Sequence, residues 1–230
     1  MVGPLTEIER DESGRVRIWD LPVRLFHWAL VLSLGASWAT AELDMLDWHK
    51  RLGYAAIALV LFRILWGLIG SDTARFSRFL KGPGAVLDHV RHLLSREPWR
   101  PEVGHNPLGG WAVVALLALV ALQAGSGLFT VDDLGFEGGP FFEHVSEDTA
   151  KEARRLHFLS FDLLLVMVGV HVAAVALYLL VKKDNLVGPM LTGRRVLPDG
   201  TAAPRQAPAV RALACLAVAI AAVWAMLALA

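Results

Sequence analysis

Cysteine is almost missing from this 230-residue chain: Cys215 stands alone. One thiol excludes a disulfide framework, a thiolate-held iron–sulfur cluster and the Cys-x-x-Cys-His attachment of covalent haem. Charge is scarce at 19%, and it cancels, with 22 Lys and Arg against 22 Asp and Glu. Soluble domains carry about 25% charge, so an ordinary soluble enzyme is excluded. With no basic excess, a nucleic-acid partner is excluded too. Residues 1–17 are polar and lack the short apolar stretch and small-residue cleavage site of a signal peptide, so none is expected. What the chain has in excess is apolar: 55% of residues, a mean hydropathy of +0.49, and both concentrated in long blocks.

Five blocks reach the length of about 20 mostly apolar residues that a bilayer crossing requires. They cover residues 19–41, 46–70, 108–131, 153–181 and 208–230. Trp19, Trp28, Trp38, Trp48, Trp66 and Trp111 fall within them, several near an end, as interfacial aromatics do. Fifteen Lys and Arg lie in the N-terminal tail, the 71–107 loop and the stretch from 182 to Arg211, against five around 42–51 and 132–155. The excess of basic residues on one side puts the N-terminus on the cytoplasmic side of the membrane and the C-terminus on the outer side. Between the second and third spans, Val86, Leu87, Val90, Leu93 and Leu94 repeat at the helical period among His89, Arg91 and His92. That pattern predicts a short amphipathic helix on the cytoplasmic membrane surface, stopped by Pro98 and Pro101.

Four of the eight histidines fall inside spans: His27, His49, His157 and His171. Ionisable groups inside membrane helices are rare and point to function. His157 and His171 are fourteen residues apart, which is within about 40° of whole turns and about 21 Å along the axis. Both therefore project from one face, one in the outer and one in the inner half of the membrane. His27, some eight residues into a span entered from the cytoplasm, lies at the inner depth, and His49 at the outer. Depth then pairs His27 with His171 and His49 with His157. Two stacked bis-imidazole sites suit two b-type haems, each iron taking a histidine nitrogen on either side of the ring.

Arg63 lies fourteen residues after His49 on the same face, at the inner depth, and Arg24 is one turn before His27. Both are candidates to pair with haem propionates, although Arg63 could instead snorkel to the surface. Gly53, Gly125, Gly127 and Gly169 could let a flat ring approach the backbone, or could ease helix packing. His89, His92, His105 and His144 fall in loops or on the surface helix, where solvated side chains are expected. Asp162 is five residues past His157 and points away from the histidine face. The expected fold is all-α integral membrane: a four-helix transmembrane bundle holding two haems, a fifth C-terminal transmembrane helix and the short amphipathic helix. The expected division is a cytoplasmic tail at 1–17, the dihaem bundle at 18–195, a linker at 196–207 and the additional helix at 208–230.

Several stretches carry a family resemblance: VRIWDLPVRLFHW at 16–28, HKRLGY at 49–54, FRILWG at 62–67, GHNPLGGW at 104–111 and DNLVGPMLTGRR at 184–195. In order and spacing the chain resembles the bacterial cytochrome b561 group over about residues 16–195. That group includes the b-type cytochrome subunits of nickel–iron hydrogenases and is related to the gamma subunit of formate dehydrogenases. The resemblance implies a four-helix cytochrome with two haems b and the same histidine pairing. It also implies electrons arriving from a periplasmic redox protein and quinone reduced near the cytoplasmic face. Asn106 matches an asparagine that serves the quinone pocket in related subunits; its other reading is a cap or turn before the third span. The fifth span lies outside the shared pattern.

The leading function is a membrane dihaem b-type cytochrome passing electrons between a periplasmic partner (hydrogenase, dehydrogenase or c-type cytochrome) and the quinone pool. Such a chain is an electron-transfer subunit of a respiratory oxidoreductase, and is itself an enzyme if it carries its own quinone-reducing site. The acidic 131–155 loop, with Asp132, Asp133, Glu137, Glu143, Glu147, Asp148 and Glu152, would steer a basic carrier. Two alternatives stand beside it: a self-sufficient superoxide:quinone oxidoreductase, and a haem-free metal transporter.

Overall fold

The computed structural model describes residues 14–95, 97, 99, 101–132, 137–197 and 201–230. Most of the expected tail, Pro98 of the helix stop, Asp133 of the acidic loop and positions 198–200 of the linker lie outside the described residues. Along the chain come β1 (Arg15–Arg17), α1 (Leu21–Glu42), α2 (Leu46–Ile69), α3 (Phe76–Phe79), α4 (Pro83–Leu94) and α5 (Pro107–Gly127). A single 3₁₀ turn (Phe142–His144), α6 (Glu147–Leu180), α7 (Val187–Thr192), β2 (Arg194–Val196) and α8 (Ala209–Leu227) follow.

Local chemistry explains where the long helices begin. Asp20 opens α1 by accepting the Val23 N–H at 2.7 Å, with Pro22 in the first turn. Its second oxygen accepts the Trp66 indole N–H at 3.0 Å, so one carboxylate both starts α1 and holds the last turn of α2. Asn106 opens α5 by accepting the Gly109 N–H at 2.7 Å. Ser146 opens α6, with Glu147 and Asp148 at the positive end of the helix dipole. α2 stops at Gly70, where a Cβ would overlap the Trp66 carbonyl.

Among the described residues four helices, α2, α5, α6 and α8, are long and apolar enough to cross a membrane. α1 has 22 residues, but Arg24, His27 and its serines and threonine dilute its hydropathy. Large apolar side chains point outward: Leu32 is 72% exposed, Val166 64%, Leu213 66% and Trp224 76%. That inversion of the soluble pattern is what lipid as solvent produces. α1 packs on α2 and α5 on α6, while α2 sits centrally and also meets α5 and α8.

The start of α1, the end of α2, α3, α4, the start of α5, the end of α6 and the start of α8 gather at one end. Contacts across that end include Thr73 Oγ1–H to the Ile18 carbonyl at 2.7 Å and Arg211 to the Ile69 carbonyl at 2.9 Å. Most of the chain's basic loops are there, and it is called the basic end below.

Three features differ from the sequence expectation or refine it. Residues 15–17 of the expected tail form a strand paired antiparallel with β2, Val16 opposite Arg195, and Val16 is fully buried. The fold is therefore mostly rather than wholly α-helical, because a three-residue alternation is too short for periodicity to reveal. Part of the expected linker is tied down: Asp72 N–H donates to the Arg205 carbonyl at 3.0 Å, and Arg205 N–H to the Asp72 carboxylate at 3.2 Å. α8 buries Ala212, Cys215, Ala219 and Val223 at helical spacing, small residues that let it approach α2 closely.

Candidate haem-ligand pairs

Away from the basic end, His49 of α2 and His157 of α6 come together, ring centroids 6.0 Å apart and planes at 81°. Each is held by its Nδ1. His49 Nδ1 donates to the Ser37 carbonyl of α1 at 2.9 Å, with the Ser37 hydroxyl at 3.1 Å. His157 Nδ1 donates to the Gln123 carbonyl of α5 at 2.8 Å. Those partners assign the Nδ1–H tautomer and leave each Nε2 with its lone pair. A carbonyl behind the ring and a free Nε2 in front is the arrangement a metal-ligating imidazole needs. The His157 Nε2 accepts from the Gln123 amide at 3.0 Å, a neutral donor that an iron would displace. Gly127 makes the fit possible, since a Cβ there would lie 2.9 Å from His157 Cε1. Beside Gly53, Gly125 and Gly169 a Cβ would meet nothing within 4 Å, leaving open space against the backbone.

Nearer the basic end, His27 of α1 and His171 of α6 are close enough to interact electrostatically. Among the described residues, the buried polar atoms without a hydrogen-bond partner include His27 Nδ1, Arg24 Nε and Arg63 Nη1. These are the three inner-level residues, besides His171, that the sequence singles out. Buried cationic nitrogens lacking an acceptor fit the carboxylates of a haem edge. Arg24 donates through Nη2 to the Leu191 carbonyl, tying α1 to α7. Arg63 is 2% exposed, its guanidinium over Phe76 at 5.0 Å and Phe79 at 5.9 Å. Snorkelling is thus overturned: the side chain is buried and walled in by α3.

Asn106, expected at a quinone pocket or as a cap, does cap α5, and its Nδ2 also donates to the Tyr178 hydroxyl at 3.0 Å. His89, expected in solvent, is buried and His105 is half-buried, which corrects that reading. His89 Nε2 bonds the Tyr178 hydroxyl at 2.9 Å, and its Nδ1 lies 3.3 Å from the Glu102 carboxylate. His105 packs edge-on to Trp19 at 4.7 Å and against Phe79 at 4.5 Å. Burial first, then the Arg63 cation, pushes its pKa down to about 3. Sequence reasoning missed Gln123, Tyr178 and Glu102. The one available signal for Gln123 was a lone amide in an otherwise apolar span. No group of three or more His, Cys, Asp or Glu able to hold a bare metal ion occurs among the described residues. The histidines stand in pairs, unlike the three or four ligands of a bare-metal site.

Apolar helices with outward-facing Leu, Val and Trp make this a multi-pass membrane protein, and paired imidazoles at two levels form its candidate site. The sequence model of the family described as prokaryotic cytochrome b561 matches residues 18–193. The chain belongs to that family and is a membrane b-type cytochrome of electron transport, with haem b as its cofactor. It is 25% identical to a protein of Azotobacter chroococcum mcd 1 named as a probable Ni/Fe-hydrogenase B-type cytochrome subunit, over 80% of this chain and 90% of the relative. A protein of the same name from Bradyrhizobium diazoefficiens is 26% identical over 86% and 96%. A third, from Azotobacter vinelandii, is 26% identical over 80% and 90%. No solved structure matches.

Proposed function

We propose that this chain holds two haems b and carries electrons between a periplasmic redox partner and the quinone pool of the bacterial inner membrane. The observation that carries the proposal is the His49/His157 pair, each ring braced by a backbone carbonyl through Nδ1 and presenting Nε2. His27 and His171 are the second ligand pair, and Arg24 and Arg63 receive the propionates. Bound haem supplies a reversible one-electron couple, and the protein supplies ligation, spacing and a low dielectric. A hydrogenase is the partner of choice, since the relatives are named as hydrogenase cytochrome subunits. The basic end faces the cytoplasm, with α1 as a further span, α4 on the membrane surface and the C-terminus in the periplasm. The His49/His157 level then faces the partner, and the His27/His171 level faces quinone bound near Asn106.

The test is a reduced-minus-oxidised spectrum with pyridine haemochrome quantitation on the purified full chain. Two haems b per chain are expected. His49→Ala and His157→Ala each retain one haem, and the same one; His27→Ala and His171→Ala retain the other. Loss of different haems by His49→Ala and His157→Ala refutes the pairing, and a colourless chain refutes the function.

A further inference from the structure

We propose that Glu102, His89 and Tyr178 form a proton relay serving quinone at Asn106; the proposal rests on the quinone reading above. Tyr178 lies seven residues beyond His171, within about 20° of two full turns and about 10 Å further along the same face of α6. Its hydroxyl, on a residue only 5% exposed, accepts from Asn106 at 3.0 Å and meets His89 Nε2 at 2.9 Å. His89 is 7% exposed, and its other nitrogen faces the Glu102 carboxylate at 3.3 Å. Glu102 has a 43% exposed side chain. A continuous file of exchangeable protons thus runs from solvent at the basic end to a buried phenol beside Asn106.

The charged and titratable neighbours are accounted for. Trp99 packs against His89 and Tyr178, donates to Asp184 at 2.9 Å and carries Lys182 over its ring. His92 stacks on Trp99 and pairs with Glu97. Asp184 is matched by Arg195. Only Glu102 among these faces the free nitrogen of His89.

A phenol has one donor and two acceptor positions. With Asn106 and His89 donating to its oxygen, Tyr178 is left to donate its O–H to a quinone oxygen. In each transfer Glu102 takes a proton from solvent and passes it to His89 Nδ1. The Nε2–H goes to the Tyr178 oxygen, and the Tyr178 proton goes to the reduced quinone; the ring then returns to its starting tautomer. Two such protons, with two electrons supplied by the redox partner, would convert quinone to quinol.

The experiment uses the full haem-loaded chain in liposomes, reduced with dithionite and mixed with a short-chain ubiquinone analogue. His89→Gln and Glu102→Gln are expected to keep both haem spectra and the affinity for the analogue, while Tyr178→Phe keeps the spectra and binds the analogue more weakly. Haem reoxidation falls tenfold or more, toward the about 10²–10⁴-fold worth of a positioned acid. The wild-type pH profile and solvent deuterium effect on that rate change with it. Glu102→Gln, at a half-exposed position, supplies the answer if the buried variants fail to load haem. Unchanged rate, pH profile and isotope effect in Glu102→Gln overturn the relay. A wild-type chain whose reduced haem the quinone cannot oxidise overturns the quinone reading instead.

Discussion

Gly127→Ala puts the His49/His157 pair under a defined stress. The new Cβ would lie 2.9 Å from His157 Cε1 and 3.1 Å from its Nδ1. Carbon contacts settle at about 3.5–4.0 Å, so the ring must retreat by about 0.6 Å. Gly127 and the Gln123 carbonyl lie one turn apart on α5, so the ring is pushed away from both. The Nδ1–H···O bond, now 2.8 Å, stretches to about 3.4 Å, past the useful range of about 2.7–3.2 Å. Losing that bond costs about 1 kcal/mol of net stability. Partners behind a metal-bound histidine are worth about 10- to 100-fold in affinity, so haem at this level should bind that much more weakly. The assay is haem retention during dilution of purified protein into a haem acceptor, followed by the difference spectrum. One haem should leave early and the other at the wild-type rate. Gly84→Ala is the control, because its Cβ meets nothing within 4 Å and a helical alanine gains about 0.5–1 kcal/mol over glycine. If Gly127→Ala releases both haems as slowly as wild type, His157 is not positioned through Gln123 and the reasoning fails.

His105 should make the fold acid-sensitive. Its folded pKa of about 3 lies below the ordinary imidazole value, so the neutral ring is favoured in the fold. The stability it contributes is complete above about pH 6.5 and falls by about 1.4 kcal/mol per unit as pH drops from there toward 3. Thermal unfolding in detergent between pH 7 and 4 should show the slope, and His105→Gln should flatten it; an equal slope in the variant disproves the assignment. Asp20→Ala removes the α1 cap and leaves the Trp66 N–H buried without an acceptor, a loss of roughly 2–4 kcal/mol. Asp20→Asn, which keeps an oxygen for the cap, should recover part of it. Chemical denaturation followed by tryptophan emission measures both, and a wild-type midpoint for Asp20→Ala would contradict the clamp.

Much of the site was legible because its signals are local. Fourteen residues between His157 and His171 on one continuous helix place them on one face whatever surrounds it. The apolar spans then set the histidines at two levels before any contact is known. Asn106 before Pro107 likewise announces a helix start, and the start is there.

The rest depends on which helices touch. His89 reads as a residue of a surface helix until Tyr178, 89 positions later, covers it. Arg63 reads as able to reach the surface until α3 closes Phe76 and Phe79 over it. Gln123 is one amide in an apolar run until packing of α5 on α6 sets its carbonyl against His157. The sequence by itself determined the long helices and which residues share a face of each, because those follow from a fixed rise and turn per residue and from apolar spans sized to a bilayer. Only the tertiary structure decided which buried polar group meets which, because those partners lie tens of residues apart and are joined by packing, for which no short-range pattern in the chain exists.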